Sequence, residues 1–433
     1  MAMLEVVFVF QEADPGALAR MKMKGVMVRE LEIEALRSNA PDDVAEQDIN
    51  TLLSRPSPNF DRDVYCVFGL PIDVMSVEHA LFELREASSR RVRCFLSTPN
   101  LNFLINSRQD MGFRNSVICS DMSLPDGMPV VWLAKAIGVR AIERVAGATL
   151  FEKLARDTIR SMSVYFFGGG SGAGQLAASR MNAEQLGIRC VGFKYPGFGN
   201  IDEMSDPDTI EEINHCSPDF LVVALGARKG QAWLQRNQNN LNVPIISHLG
   251  AVINIAAGTI SRAPRWMQRA GLEWLWRIKE EPALWRRYAG DGLELAKLFV
   301  LHVLPCFVYA RIAPERHRFD SASINVRRFP GRTYIELRGP RGMANLSPVR
   351  EAMREATSME CDVVINFRYA DYVDSAFLGL CLVLYGHQLR IGRSLVFESI
   401  DPKLRRIFRA HCVEYLLDEK ARDETKVVAP TAV

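Results

Sequence analysis

Val92-Arg93-Cys94-Phe95-Leu96-Ser97-Thr98-Pro99-Asn100 is a short apolar run that ends abruptly in three turn-forming residues. Runs of about five residues rich in β-branched or aromatic side chains read as buried strands. Working outward, similar runs recur at 164–167, 190–193, 220–225 and 244–247. Helix-like stretches alternate with them or precede them, as at 77–89 and 174–186. Continuous apolar strands alternating with helices predict an α/β unit over 64–305, its mostly parallel sheet covered by helices on both faces.

The flanks differ in character. Residues 1–63 read as an appendage or linker, punctuated by Asp14-Pro15-Gly16, Pro41-Asp42-Asp43 and Arg55-Pro56-Ser57-Pro58, with a helix over 17–37 interrupted by Gly25. A polar stretch, Ala313-Pro314-Glu315-Arg316-His317-Arg318, marks a linker over 306–322. A second, smaller α/β unit follows at 323–418, and 419–433 is a tail. Its order reads strand 323–327, strand 333–338, helix 348–357, strand 362–366, helix 375–389, strand 395–397, helix 402–409.

Composition narrows the class. The 433 residues are 48% hydrophobic and 24% charged, enough for large cores, and the net charge of +2 does not point to a nucleic-acid partner. Nine cysteines form no Cys-x-x-Cys pair, and several, such as Cys94 and Cys381, sit in apolar runs. Buried, reduced thiols in a reducing compartment are expected, rather than zinc ligands. No basic region precedes the apolar start at Leu4, so no secretory signal is read there. The best candidate for a spanning helix, 298–310, is short and carries His302 and Pro305, so a break is expected.

Several loops could carry chemistry. Thr98 and Asn100 follow a strand, where an open parallel sheet binds ligands, yet both also suit a helix N-cap. Cys119-Ser120-Asp121-Met122-Ser123-Leu124-Pro125-Asp126-Gly127 brings two carboxylates to a loop before a helix at 128–137. Asp126 there could take a proton from an attacking hydroxyl, or merely cap that helix. Gly168, Gly169 and Gly170 open a strand-to-helix turn fit for a diphosphate or for tight packing. Gly226-Ala227-Arg228-Lys229-Gly230-Gln231 follows another strand, with bases for phosphate and Gln231 for a sugar. His248 follows a strand too, where it suits packing as well as ligand contact. Asp206-Pro207-Asp208 and Asp61-Arg62-Asp63 match an Asp-x-Asp pattern, but the first reads as a helix start and the second as linker, so no metal or other cofactor is expected.

Residues 262–288 concentrate bases and indoles: Arg262, Arg265, Arg269, Arg277, Lys279, Arg286 and Arg287, with Trp266, Trp274, Trp276 and Trp285. Arg with Trp is the composition of a helix lying in a membrane interface. A helical pair packed on the core with a solvated basic face is the other reading.

The ordered set resembles the WecG/TagA/CpsF family of glycosyltransferases over about 64–288. Its parts are Thr98-Pro99-Asn100, Asp126-Gly127-Met128-Pro129-Val130-Val131, Glu143-Arg144-Val145-Ala146-Gly147, Phe166-Phe167-Gly168-Gly169, Ala263-Pro264, Gly271-Leu272-Glu273-Trp274-Leu275-Trp276-Arg277 and Glu281-Pro282. The resemblance implies a Rossmann-like fold and metal-independent, inverting transfer from a UDP-sugar to a polyprenyl-diphosphate-linked sugar. The donor would be UDP-N-acetylmannosamine, its uronic acid or UDP-glucose. It implies Asp126 as general base, Thr98 and Asn100 as pocket residues, and Arg144 as a partner for diphosphate charge. A C-terminal appendage would meet the membrane, placing the protein on the inner face of the cell membrane, peripheral and cytoplasmic. Where the family often has Pro-Lys-Gln-Glu, this chain has Arg228-Lys229-Gly230-Gln231, which moves Gln by one position.

The second unit resembles a STAS domain through Asp374-Ser375-Ala376-Phe377-Leu378-Gly379. Ala376 stands where antagonists of that fold commonly carry a phosphorylated Ser or Thr, so docking to a protein partner is expected rather than a phosphoswitch. The competing expectation is a regulatory nucleotide-sugar-binding protein acting through this unit.

Overall fold

The computed structural model describes residues 58–418 except 159–160, 185–186, 310–318 and 320–321, all within one compact unit. The helix expected at 17–37 lies outside the described residues. The chain opens with an antiparallel hairpin, β1 (Val64–Val67) and β2 (Leu70–Asp73). Then follow α1 (Val77–Ser89), β3 (Cys94–Ser97), α2 (Leu101–Gln109), α3 (Met111–Ile118), β4 (Met122–Ser123), α4 (Met128–Ala136) and α5 (Gly147–Ala155). The middle holds β5 (Met162–Gly168), α6 (Ala173–Glu184), β6 (Ile188–Lys194), α7 (Pro207–His215), β7 (Phe220–Ala224), α8 (Ala227–Asn237), β8 (Ile245–His248) and α9 (Val252–Ala257). Three helices close this part: α10 (Arg265–Arg269), α11 (Glu273–Glu280) and α12 (Trp285–Leu298).

Strands β3 to β8 form one parallel sheet in the order β4-β3-β8-β7-β5-β6. Strand side chains alternate between faces, and here both faces are covered. Leu96, Val164, Phe166, Val222 and Ile245 pack with α1, α5, α6 and α9. Their neighbours Phe95, Tyr165, Phe167, Val223 and Ile246 pack on the opposite side with Ile210, Ile213, Trp233 and Leu234 of α7 and α8. Burial on both faces is why these strands read as unbroken apolar runs.

The second sheet, in the order β12-β11-β10-β9, comprises β9 (Ser323–Phe329), β10 (Arg332–Arg338), β11 (Asp362–Tyr369) and β12 (Leu395–Glu398). Its helices are α13 (Leu346–Thr357), α14 (Ser375–Arg390) and α15 (Pro402–Ala410). Asp374 caps α14, accepting from the amides of Ala376 and Phe377. Ser375 and Ala376 are buried, so the Asp374–Gly379 motif is not free surface. Instead α14 joins one core with Phe60, Val64, Cys66 and Ile118 of the first part.

One sequence expectation is corrected. Pro282–Tyr309 is a single helix of 28 residues, continuous through His302 and Pro305. Proline lacks an N–H and clashes with the carbonyl four residues back. A π-helical turn, Phe299–Val303, lies where that clash would fall, and the Leu304 amide reaches back to Phe299 O. By length and composition the helix could cross a membrane, and only 17% of its most apolar 18-residue stretch is buried.

Candidate active site

Three neighbouring strands, β3, β8 and β7, end at one cavity of about 680 Å³. Thr98 follows β3, His248 ends β8, and Gly226 lies just beyond β7; all three line it. The loops expected from sequence to carry chemistry are stitched together here. The Asp126 amide donates to Pro99 O at 2.8 Å, and the Val145 amide to Pro125 O at 2.9 Å. Thr98, Asn100, Asp126, Arg144 and Gly147 therefore share one wall. Asn100 is also a cap, its Oδ1 accepting from the Phe103 amide at 3.2 Å, while the residue lines the cavity.

Asp126 does not cap α4. The N-cap is Gly127, in the left-handed region at φ 110°, with no side-chain bond. The positive φ carries the chain from the loop into the helix while leaving the Asp126 carboxyl on the cavity wall. Loss of solvation pushes that carboxyl up to about 6; nearby Glu273 adds to the rise, while Arg144, Arg262 and a bond to the Gly147 backbone oppose it. A carboxylate so poised is mostly ionised at neutral pH yet basic enough to accept a proton.

Behind it runs an ion-pair network. Arg144 pairs with Glu273, and Arg262 pairs with Glu152 at 2.7 Å and approaches Glu273 at 3.9 Å. Arg144 lines the cavity with its charge already engaged, so a diphosphate would compete with Glu273 for the guanidinium or share it. On the far side Asp291 of α12 accepts from Asn102 Nδ2 at 3.2 Å, and burial raises its carboxyl above the usual range. Among the described residues no group of three or more His, Cys, Asp or Glu side chains is arranged to hold a metal ion.

The profile described as "Glycosyl transferase WecG/TagA/CpsF family" matches residues 65–305. The chain belongs to this family. It is a glycosyltransferase. Among its relatives, the N-acetylglucosaminyldiphosphoundecaprenol N-acetyl-beta-D-mannosaminyltransferase of Bacillus spizizenii is 27% identical over 194 residues, 45% of this chain and 74% of that protein. The protein of the same name from Bacillus subtilis is 24% identical over 200 residues, 46% and 76% of the two chains. That of Staphylococcus aureus strain MRSA252 is 20% identical over 229 residues, 53% and 83%.

Other residues of the transferase fall differently from the sequence reading. Gln231 does not reach the cavity. It is fully buried on the inner face of α8, where Nε2 donates to Ser97 Oγ at 3.0 Å. Gly168, Gly169 and Gly170 also lie off the cavity wall. A Cβ at Gly168 would meet Ala224 O at 2.6 Å, so this glycine lets β5 and β7 approach closely. Asp206 of the Asp-x-Asp pattern caps α7, accepting from the Thr209 amide at 2.9 Å.

The Arg/Trp segment splits in two. Trp274, Arg277 and Arg287 line the cavity, and Arg277 pairs with Glu281 at 2.5 Å. Arg286 is exposed and stacks 5.8 Å from the Trp285 ring centroid. Arg265 and Arg269 belong to α10, but their side chains lie outside what the structure describes. Sequence reasoning gave no role to Glu273, Asp291 or Asn102; the first lay in a quoted motif, and the second is a lone acid between Tyr288 and Leu293.

Proposed function

We propose that the transferase moves a sugar from a UDP-sugar to a sugar on a polyprenyl diphosphate, with inversion and without a metal, at the inner face of the cell membrane. The observation that carries this reading is the shared cavity. Its lining combines Thr98, Asn100 and Asp126 with Trp274, Arg277, Arg287 and Tyr288 of α11 and α12. The helix Pro282–Tyr309, which carries Arg287 and Tyr288, exposes Leu293, Phe299, Val300, Leu301, Leu304 and Val308 farther along. A pocket that carries polar and charged side chains on a largely apolar wall, beside an exposed apolar helix, suits an acceptor whose sugar is polar and whose anchor is lipid.

The chemistry follows from the wall. Asp126 takes the proton of the acceptor hydroxyl, whose oxygen attacks the anomeric carbon. The bond from that carbon to the diphosphate oxygen breaks, and the electron pair leaves with UDP. Arg144 and the amides at the start of α8 offset the charge that develops on the diphosphate. One displacement at one carbon inverts it. The relatives' names favour UDP-N-acetylmannosamine over its uronic acid or UDP-glucose as the donor to try first.

Peripheral attachment fits the helix better than a crossing. Asp291 is tied to Asn102, His302 Nδ1 lies 3.1 Å from Arg409 O, and Leu298, Val303 and Cys306 are buried in the core. A helix so anchored on one side has only its other side for lipid. Asp126→Asn tests the chemistry. Turnover with UDP-N-acetylmannosamine and a short-chain lipid-diphosphate acceptor should fall about 10²–10⁴-fold, with melting unchanged or raised. Near-normal turnover removes Asp126 as the base.

A further inference from the structure

The cavity wall holds a buried imidazole, His248, that this chemistry leaves unused and whose Nε2 lacks a partner among the described residues. Gly230 lies in the first turns of α8, and a Cβ there would sit 2.2 Å from His248 Cδ2 and 2.9 Å from its Cγ. The imidazole fills the volume that any side chain at 230 would need. The absence of a side chain at 230 is what leaves that volume to the ring. His248 is 7% exposed, forms part of the cavity wall, and packs on Phe103 with ring centroids 6.3 Å apart. Its Nε2 has no hydrogen-bond partner among the described residues. Burial holds the ring at about 4, so it is neutral at pH 7. Buried polar atoms in native proteins are nearly always partnered, and an unpartnered one on a residue that lines a pocket calls for a ligand.

The neighbouring backbone says which part of a ligand. Gly226, at φ 79°, begins α8 without a side-chain cap. The first helical bond runs from the Gly230 amide to Gly226 O, so the amides of Ala227, Arg228 and Lys229 have no partner within the helix. Such a terminus favours phosphate oxygens, and Gly226, Ala227 and His248 line the cavity together.

We propose that His248 contacts the diphosphate of the nucleotide-sugar donor, donating a hydrogen bond from Nε2–H to a phosphate oxygen beside the start of α8. This rests on the cavity being the transferase site. Calorimetric titration of the full chain with UDP tests it. His248→Ala should weaken UDP binding about 10-fold and raise the donor KM by a similar factor, with kcat changed far less. His248→Gln should recover most of the affinity, whereas His248→Leu, which restores only bulk, should not. Gly230→Gln should weaken binding by displacing the imidazole, and Gly230→Gln with His248→Gly should recover it by offering an amide from the opposite side.

UDP affinity within twofold of wild type in both His248→Ala and His248→Leu overturns the proposal. So does equal rescue by Leu and Gln. Should the Ala variant fail to fold, the Gln and Leu pair decides, because both preserve volume. If Asp126→Asn is inactive while the His248 variants bind UDP normally, only the His248 assignment falls. If wild type binds no UDP, the reading of the cavity itself falls; if Asp126→Asn stays active, only its role as the base falls.

Discussion

Asp126 carries the pH dependence expected of the reaction. Its folded value of about 6 lies above the ordinary carboxylate value, mainly through lost solvation. The base form fills as pH rises through 6, so kcat/KM should fall on the acid side of about pH 6. Asp126→Asn should keep only residual activity without that limb; a limb that persists in the variant means another group titrates. The linkage to stability has the opposite sense. A carboxyl raised on folding costs nothing below its unfolded value near 4, costs increasingly between 4 and 6, and costs in full above 6. The Asn variant should therefore melt no lower than wild type at pH 7, with any advantage shrinking toward pH 4, as scanning calorimetry across that range would record. Thr98 and Asn100 reach the cavity because they follow β3, a strand the sequence shows, and Asp126 because a loop ending in glycine precedes α4. Glu273 was not legible, because it meets Arg144 across 129 residues of chain. Gln231 was misread because its role depends on the phase of α8, whose inward face takes Gln231, Trp233 and Leu234 together.

Elements were more legible where one physical rule governed them. Ser76 and the apolar spacing define α1, and the observed Val77–Ser89 coincides with the expected 77–89. The edge strand β4, only Met122–Ser123, escaped notice because two residues carry no periodicity. The helix Pro282–Tyr309 was cut short in the sequence reading, since Pro305 ordinarily breaks an α-helix and a π-helical turn leaves no sequence mark. Its exposed side holds Val300 at 63% exposure, Leu301 at 62% and Leu304 at 51%. Replacing these three with Asp should release the protein from vesicles containing anionic phospholipid while leaving turnover on a soluble short-chain acceptor within a few-fold. Unchanged co-sedimentation with vesicles would mean that this face is not the lipid-facing one.

At the scale of the molecule, the sequence reading separated two sheets, and the structure joins them through helix α14. The first part contributes Phe60, Val64, Cys66 and Ile118 to the core that holds Phe377, Leu378 and Cys381. An ion pair lies on the same seam: Arg390 meets Asp121 at 2.8 Å, on the loop that leads to Asp126. Tyr415 OH donates to Gly69 O at 2.9 Å, and the Arg114 guanidinium lies 3.8 Å from the Tyr415 ring centroid. None of this was legible, because a contact between residues 300 apart leaves no local pattern, and glycines within a helix read as weak points rather than as close approaches. Gly379 and Gly386 of α14 are such approaches. A Cβ at 379 would meet Val64 O at 2.4 Å and Tyr65 Cα at 2.8 Å; one at 386 would meet Ile118 O at 2.6 Å. These are backbone atoms, which cannot rotate aside. Gly379→Val should therefore push α14 off the hairpin, destabilising the protein by about 1–3 kcal/mol or more, the range for overpacked cores. Because β2 is tied to the catalytic side through Asp73, which accepts from the Ser123 amide at 2.6 Å, the damage should not stay in the C-terminal part. Turnover and the thermal transition of both parts should decline together, read by activity and by limited proteolysis along one temperature series. A Gly379→Val protein that loses the second sheet to protease while residues 58–309 remain folded and active would mean that the two sheets stand independently after all.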